Sequence, residues 1–428
     1  MSSALEGGNW LRTGGGVVAT GGFFAAHPAR SKQDTSQKFL MPSVFARMRL
    51  LVDGDLGYRS DEKIPCEAGA DINLIKALQP FDRETQSRST TLPRERHMSP
   101  RKLCLFMLAA TLAGFATAEK LNVQIQEYEV PTPKSRPHDP AVAPDGSLWC
   151  TGQGANKLGR LDPKTGNFRE YALKTANSGP HGLVADKDGN IWFTAISGGY
   201  VGRLDTNSGR IAEYRPADGT TIDPHTPIFD RDGILWFTNE ETNYLGRLDP
   251  KTGKISLIKV PTPHAVPYGI VILPNNMPFF CEFGSNKLAS VEPGTMKIRE
   301  YVLPAAGARP RRIALAADGT VYYTDYARGY LGHFDPAEGK LLKEWMSPGG
   351  TGSEPYGIAI TNDGEVWYSE SGVKPNTLVK FDAKSESFSA NSIPSGGGVV
   401  RNMVATPDRR LYLACSGVNK VAVVDLNK

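Results

Sequence analysis

From Val123 to the end of the chain, apolar residues fall into short runs that alternate with polar ones, and the runs are closed by Gly, Asp, Asn or Pro. A period of two over such lengths predicts half-buried β-strands joined by tight turns. One passage shows the unit most clearly: Gly179-Pro-His-Gly-Leu-Val-Ala-Asp-Lys-Asp-Gly-Asn-Ile-Trp-Phe-Thr, then Val201-Gly-Arg-Leu-Asp205, then Ile211-Ala-Glu-Tyr214. Aligned on the residue after the proline, copies begin at His138, His181, His225, Tyr268, Arg311, Tyr356 and Arg401, with steps of 43, 44, 43, 43, 45 and 45 residues. That period fits a four-stranded propeller blade and predicts an all-β, seven-bladed β-propeller with four antiparallel strands, A to D, in each blade.

The ends of the repeat array predict how the ring closes. The seventh copy supplies strands A, B and C, ending at Val421-Ala-Val-Val-Asp425, and then the chain stops. The phrase Val123-Gln-Ile-Gln-Glu-Tyr-Glu-Val130 resembles the D strands that end in Glu170-Tyr171, Glu213-Tyr214 and Glu300-Tyr301. Placed in blade seven, this N-terminal strand closes the last blade and removes an open sheet edge. The B-strand aromatics Trp149, Trp192, Trp236, Phe279, Tyr322, Trp367 and Tyr412 recur in every copy and are expected to pack between blades. The phrases Leu158-Gly-Arg-Leu161 and Leu245-Gly-Arg-Leu248 recur in the same way and read as scaffold.

Composition agrees with this, with 45 glycines and 31 prolines in 428 residues. The formal net charge of +4 arises before the repeats: residues 119–428 carry 34 Lys and Arg against 34 Asp and Glu. A neutral domain offers no basic face for nucleic acid or anionic lipid. Met98, Arg101 and Lys102 precede an apolar run from Leu103 to Phe115 and an Ala116-Thr-Ala118 ending, the pattern of a secretory signal peptide at 98–118. Residues 1–97 lack sustained periodicity and read as a disordered or mis-translated leader, which makes 119–428 the working, periplasmic or secreted propeller. After cleavage no membrane segment is expected, and the domain reads as a monomer. Three cysteines remain, Cys150, Cys281 and Cys415, a set expected to act as buried small hydrophobes.

Spacing inside each copy locates a surface. Seven residues separate each ring residue from the A–B turn, and seven more reach Gly152, Ala195, Asn239, Glu282, Asp325, Glu370 and Cys415. Both positions therefore belong to one end of one hairpin, and together they define a mouth of the central channel. Histidine occupies one side of it, at His138, His181 and His225; carboxylates occupy the other, at Glu282, Asp325 and Glu370. Tyr268, Arg311, Tyr356 and Arg401 complete the ring and, with the histidines, are candidate substrate contacts. Converging carboxylates suit a hard divalent cation, and a neutral imidazole suits a general base; Glu240, beside Asn239, is placed to join them. His264 and His333 lie outside the ring and read as surface residues.

The phrases Gly-Pro-His-Gly, Asp-Gly-Asn-Ile-Trp-Phe-Thr, Leu-Gly-Arg-Leu and Thr-Gly-Lys-Ile make residues 123–428 resemble the virginiamycin B lyase (streptogramin lyase) family of seven-bladed propellers. The resemblance implies Mg²⁺-dependent opening of a cyclic depsipeptide by elimination at its ester bond. It also implies a site pattern: Glu-x-His at the start of one blade, Glu fourteen residues after that His, and a substrate-contacting His at the start of the preceding blade. Blade six offers Glu354-Pro-Tyr356 with Glu370, so that a tyrosine stands at the histidine position and Arg311 at the preceding one. Blade three offers Asp223-Pro-His225 with His181 before it, but Asn239 at the fourteenth position and Glu240 one step further. The final blade, where the family keeps its site, carries Arg401 and Cys415.

Three readings follow. In the first, the protein is a Mg²⁺ lyase with His225 as base, His181 on the substrate and Asp223 and Glu240 as ligands. The second is a metal-dependent lactone or ester hydrolase using Glu282, Asp325 and Glu370. The third is an exported binding propeller whose mouth holds a small molecule or cyclic peptide.

Overall fold

The computed structural model describes residues 118–427. The expected leader and all of the expected signal peptide but its last residue lie outside the described residues. Seven antiparallel sheets follow one another along the chain, as the repeat predicts. Blade one comprises Pro137–Val142, Leu148–Gly152, Lys157–Leu161 and Phe168–Ala172. Blades two to six repeat this order, with A strands at Pro180–Ala185, Pro224–Phe229, Pro267–Ile272, Pro310–Leu315 and Pro355–Ile360. Blade seven has Val400–Thr406, Arg410–Cys415 and Lys420–Asp425, and its outer strand is Gln124–Glu129 from the other end of the chain. Gln124 pairs with Asp425 and Glu129 with Lys420, so the N-terminal strand closes the last blade. A short strand just before it, Glu119–Lys120, adds in parallel to the outer edge of blade six, which becomes five-stranded.

Local chemistry sets each turn. In the C–D turn Asp162-Pro-Lys-Thr-Gly166, the Asp162 carboxylate accepts from Lys164 N–H and Thr165 Oγ1–H, and Gly166 takes φ 75°. The same turn recurs at Asp249 and Gly253. A short polar side chain that bonds backbone two residues on, followed by a residue free to adopt positive φ, is the physical content of these turn signals.

The strand nearest the axis holds a feature that alternation alone does not predict. In blade one Pro137 pairs with Gly152 and Pro140 with Cys150, so His138 and Asp139 together oppose Thr151. The same one-residue slip occurs at the start of strand A in all seven blades. A bulge of this kind lets two consecutive side chains face the channel. A hydroxyl on strand B fastens it: Thr151 Oγ1 accepts from Asp139 N–H at 3.1 Å and donates to the His181 carbonyl of the next blade at 2.7 Å. Thr194, Thr238, Thr324 and Ser369 repeat both bonds, while Cys281 and Ala414 occupy the position in blades four and seven. One hydroxyl thus holds a bulge in its own blade and the backbone of its neighbour.

The core divides into seven apolar clusters among the described residues, one at each blade boundary. Trp149 packs with Leu183 and Phe193 of blade two, Trp236 with Ile270 and Phe280 of blade four, and Tyr412 with Leu148 and Leu161 of blade one. The recurrent aromatics are inter-blade packing, as expected. Cys150, Cys281 and Cys415 are free and buried. His333 differs from its expected surface role: it is half-buried and stacks flat on Tyr322, 4.1 Å between centroids.

Glycine in the third-strand phrase has a steric cause. A Cβ on Gly246 would lie 2.2 Å from the Phe237 ring, and one on Gly202 2.1 Å from Phe193. Gly246→Ala is therefore expected to lower stability by about 1–3 kcal/mol through overpacking. Calorimetric melting of the variant checks this, and an unchanged Tm would show that the ring can yield.

Candidate functional site at the channel mouth

The seven ring residues meet at one end of the channel, where the hairpin spacing places them. The His138 and His181 ring centroids are 3.5 Å apart, His181 and His225 3.9 Å, and His225 and Tyr268 3.9 Å. The Tyr268 and Tyr356 hydroxyls hydrogen-bond one another. Arg311 lies between these phenols in ring order, with its guanidinium carbon 4.9 Å from the Tyr268 centroid and 3.9 Å from that of Tyr356. The three histidines and both tyrosines are buried.

The bulge adds a second layer that the ring pattern did not reveal: Asp139, Gly182, Thr226, Gly269, Arg312, Gly357 and Asn402. Side chains and glycines alternate here because neighbouring blades crowd the axis; a Cβ on Gly182 would sit 2.1 Å from the His225 carbonyl oxygen. The four side chains form one network across the channel. Arg312 Nη2 donates to Asp139 Oδ1 at 2.8 Å and Nη1 to Thr226 Oγ1 at 3.2 Å, while Asn402 Nδ2 donates to Asp139 Oδ2 at 3.0 Å. His138 Nδ1 lies 2.9 Å from Asp139 Oδ1.

Electrostatically the mouth is a positive site built of neutral imidazoles. Burial, reinforced by Arg401, Arg312 and Arg311, pushes His138 well below the usual histidine range. Burial likewise lowers His181 and His225, each helped by a neighbouring histidine and by Arg312. Burial would raise the Tyr356 phenol, but Arg311, Arg401 and Arg312 outweigh it and hold the group below its ordinary value. Arg311 stays charged despite burial because Tyr268, Tyr356 and Tyr326 surround it.

The predicted carboxylates reach the same end of their hairpins but turn into their own blades. Asp325 takes Arg328 Nε–H at 2.6 Å and Arg309 N–H at 3.0 Å. Glu370 takes Ser347 Oγ–H and Gly349 N–H on one oxygen and Thr377 Oγ1–H on the other. Glu282 accepts from Ser285 Oγ–H at 2.9 Å, and burial pushes its carboxyl up to about 8. Glu354 accepts from Tyr326 Oη–H at 2.7 Å. In blade three, Asp223 accepts from Glu241 N–H, Thr242 N–H and Thr242 Oγ1–H, and Glu240 Oε2 lies 3.8 Å from His225 Nε2.

The Mg²⁺ that the resemblance implies can be tested against this donor set. A hard dication needs several carboxylate or carbonyl oxygens turned to one point. Here Asp223, Asp325 and Glu370 have both oxygens engaged with local donors, burial raises the Glu282 carboxyl to about 8, Glu240 lies against His225, and no three of the five bring ligand atoms within 4.8 Å of one another. The residues do not fit the ion. Among the described residues, the one group of three whose ligand atoms lie within 4.8 Å of each other is His138, Asp139 and His181. Its carboxylate already serves Arg312 and Asn402, and the guanidiniums that reinforce the effect of burial on the histidines also oppose a dication.

A seven-bladed propeller with a polar, ring-lined channel mouth defines the class of this protein. The chain belongs to the virginiamycin B lyase family, whose profile matches residues 110–373, more than half of its length. Among solved structures it is similar to a streptogramin B lyase, with 22% identity, TM-score 0.65, and 71% of this chain and 97% of that chain covered. It is also similar to selenomethionine-substituted virginiamycin B lyase from Staphylococcus aureus, with 21% identity, TM-score 0.65 and coverage of 71% and 100%. A third is a catalytically inactive histidine-to-alanine form of the Staphylococcus aureus enzyme with quinupristin, with 20% identity, TM-score 0.64 and coverage of 71% and 100%. Likeness at these identities concerns the fold. A search of curated protein sequences returns no match.

Proposed function

We propose that this chain is an exported ligand-binding propeller, working as a monomer, whose channel mouth takes a small molecule or cyclic peptide without metal-assisted ester opening. One observation carries the reading: in blade six, where both glutamates of the family pattern are present, Tyr356 stands in place of the histidine, and Glu354 and Glu370 are already engaged by Tyr326, Ser347, Gly349 and Thr377. Among the buried polar atoms without hydrogen-bond partners, four belong to ring residues, His181 Nδ1, His225 Nε2, Arg311 Nε and Arg401 Nε, and Asn239 Oδ1, Glu282 Oε1 and Arg312 Nε join them around the mouth. Such atoms cost stability unless a ligand satisfies them.

A second reading keeps chemistry at the mouth. His225 is neutral, and its Nε2 faces the Glu240 carboxylate at 3.8 Å, an arrangement suited to taking a proton beside an ester carbonyl or from water. Incubation of the protein with a type B streptogramin, and separately with simple lactones, with added Mg²⁺ and with EDTA, separates the two. The binding reading expects intact substrate in every tube. Linear product that disappears in His225→Ala would replace it with the second reading, and EDTA-sensitive product would restore the Mg²⁺-lyase reading.

A further inference from the structure

We infer that the Arg311 and Arg401 side of the mouth binds an oxyanion, the carboxylate of a small ligand that carries an apolar or aromatic body. This rests on the binding reading above and names its ligand class. The two layers of side chains around the channel hold three guanidiniums, Arg311, Arg312 and Arg401, and one carboxylate, Asp139. Arg312 takes that carboxylate, at 2.8 Å. Among the described residues, neither Arg311 nor Arg401 has a carboxylate oxygen within 4.0 Å. The imidazoles beside them are neutral, and the Glu240 carboxylate at the mouth lies against His225, so neither arginine has a carboxylate in contact.

Arg311 is the sharper case. It is only 8% exposed, donates one hydrogen bond, from Nη2 to Tyr268 Oη at 3.1 Å, and leaves Nε without a partner. Rings of Tyr356, Tyr326, Phe283 and Tyr268 lie 3.9, 4.3, 4.6 and 4.9 Å from its guanidinium carbon. Those faces hold the cation in place but do not neutralise it. With its faces covered, a guanidinium binds through its edge, and a planar carboxylate matches an edge of paired N–H groups. Tyr356 sits between Arg311 and Arg401 in ring order, and the two cations are the foremost influences that hold its phenol below its ordinary value. The site is thus already arranged to favour negative charge at its centre. Half-buried Phe283 and Tyr326 supply the apolar surface next to the arginine edge, which is why the ligand class includes a hydrophobic body rather than a bare inorganic anion.

The experiment titrates the full protein with benzoate, with the neutral isostere benzamide and with inorganic phosphate, followed by calorimetry. Benzoate is expected to bind saturably and benzamide at least tenfold more weakly. Arg311→Gln and Arg401→Gln are each expected to weaken benzoate at least tenfold, with Arg311→Lys, which keeps charge but loses the fork, falling between. Circular dichroism establishes that each variant is folded, and half-buried Arg401 supplies the test if Arg311 variants do not fold. Equal affinity for benzamide, unchanged benzoate affinity in the folded variants, or no saturable benzoate binding overturns the inference, and phosphate binding in place of benzoate overturns the carboxylate assignment. Streptogramin turnover would sink the binding reading whatever benzoate does, so the two failures are distinguishable.

Discussion

Asp139→Asn is expected to cost about 3–5 kcal/mol of folding stability, more than any surface charge change in this molecule. Both partners of the Asp139–Arg312 pair are almost fully buried, and Asp139 alone balances Arg312 while accepting from Asn402. Neutralising it leaves a guanidinium inside the channel with no counter-charge. Arg312→Met in the same background is expected to recover much of the loss, because the damage lies in the stranded cation more than in the missing attraction. Denaturant unfolding of the two single variants and the double variant reads this. A single-variant cost below about 1 kcal/mol would show that the pair does not hold the ring together.

The second large effect is a pH dependence at Glu282. Burial raises its folded-state value to about 8, against an ordinary value of 4.5. A folded value above the unfolded one means that the fold holds the proton more tightly. The protonated carboxyl contributes its stability in full below about pH 4.5 and loses it as pH rises through about 8. Glu282→Gln mimics the neutral acid and removes that loss. Wild type and variant should melt together near pH 4.5 and diverge above it, the variant gaining on the order of 3–5 kcal/mol by pH 9 as an upper bound. Parallel melting curves across that range would mean that the carboxyl is ionised in the fold.

The same two residues show what the sequence could and could not disclose. Blade count, strand order and ring closure were legible because each rests on a repeated spacing, and the end of the hairpin that carries His138 and Glu282 followed from counting. Which way a side chain turns does not follow from counting. Glu282, Asp325 and Glu370 were expected to converge on the channel, yet donors in their own loops, Ser285, Arg328 and Gly349 among them, draw them aside. Asp139 and Arg312 escaped notice for the opposite reason. Strict alternation sends the residue after a channel-facing one to the other side of the sheet, and only the bulge brings both inward. A signal was nevertheless present, in the Thr or Ser thirteen residues after most ring positions and in the glycine after every second one.

That last pattern has a consequence for the number of blades. Gly182, Gly269 and Gly357 alternate with Thr226, Arg312 and larger neighbours, but alternation can run unbroken only around a ring with an even number of members. Seven is odd, so the pattern must fail once, and it fails where blade seven meets blade one: Asn402 and Asp139 are adjacent and bond directly. The parity fault therefore coincides with the seam at which the two ends of the chain are joined. Closure with one blade too few would set Gly357 in place of Asn402 beside Asp139 and leave Arg312 alone to serve both of its oxygens, so the side chains favour the seven-membered ring.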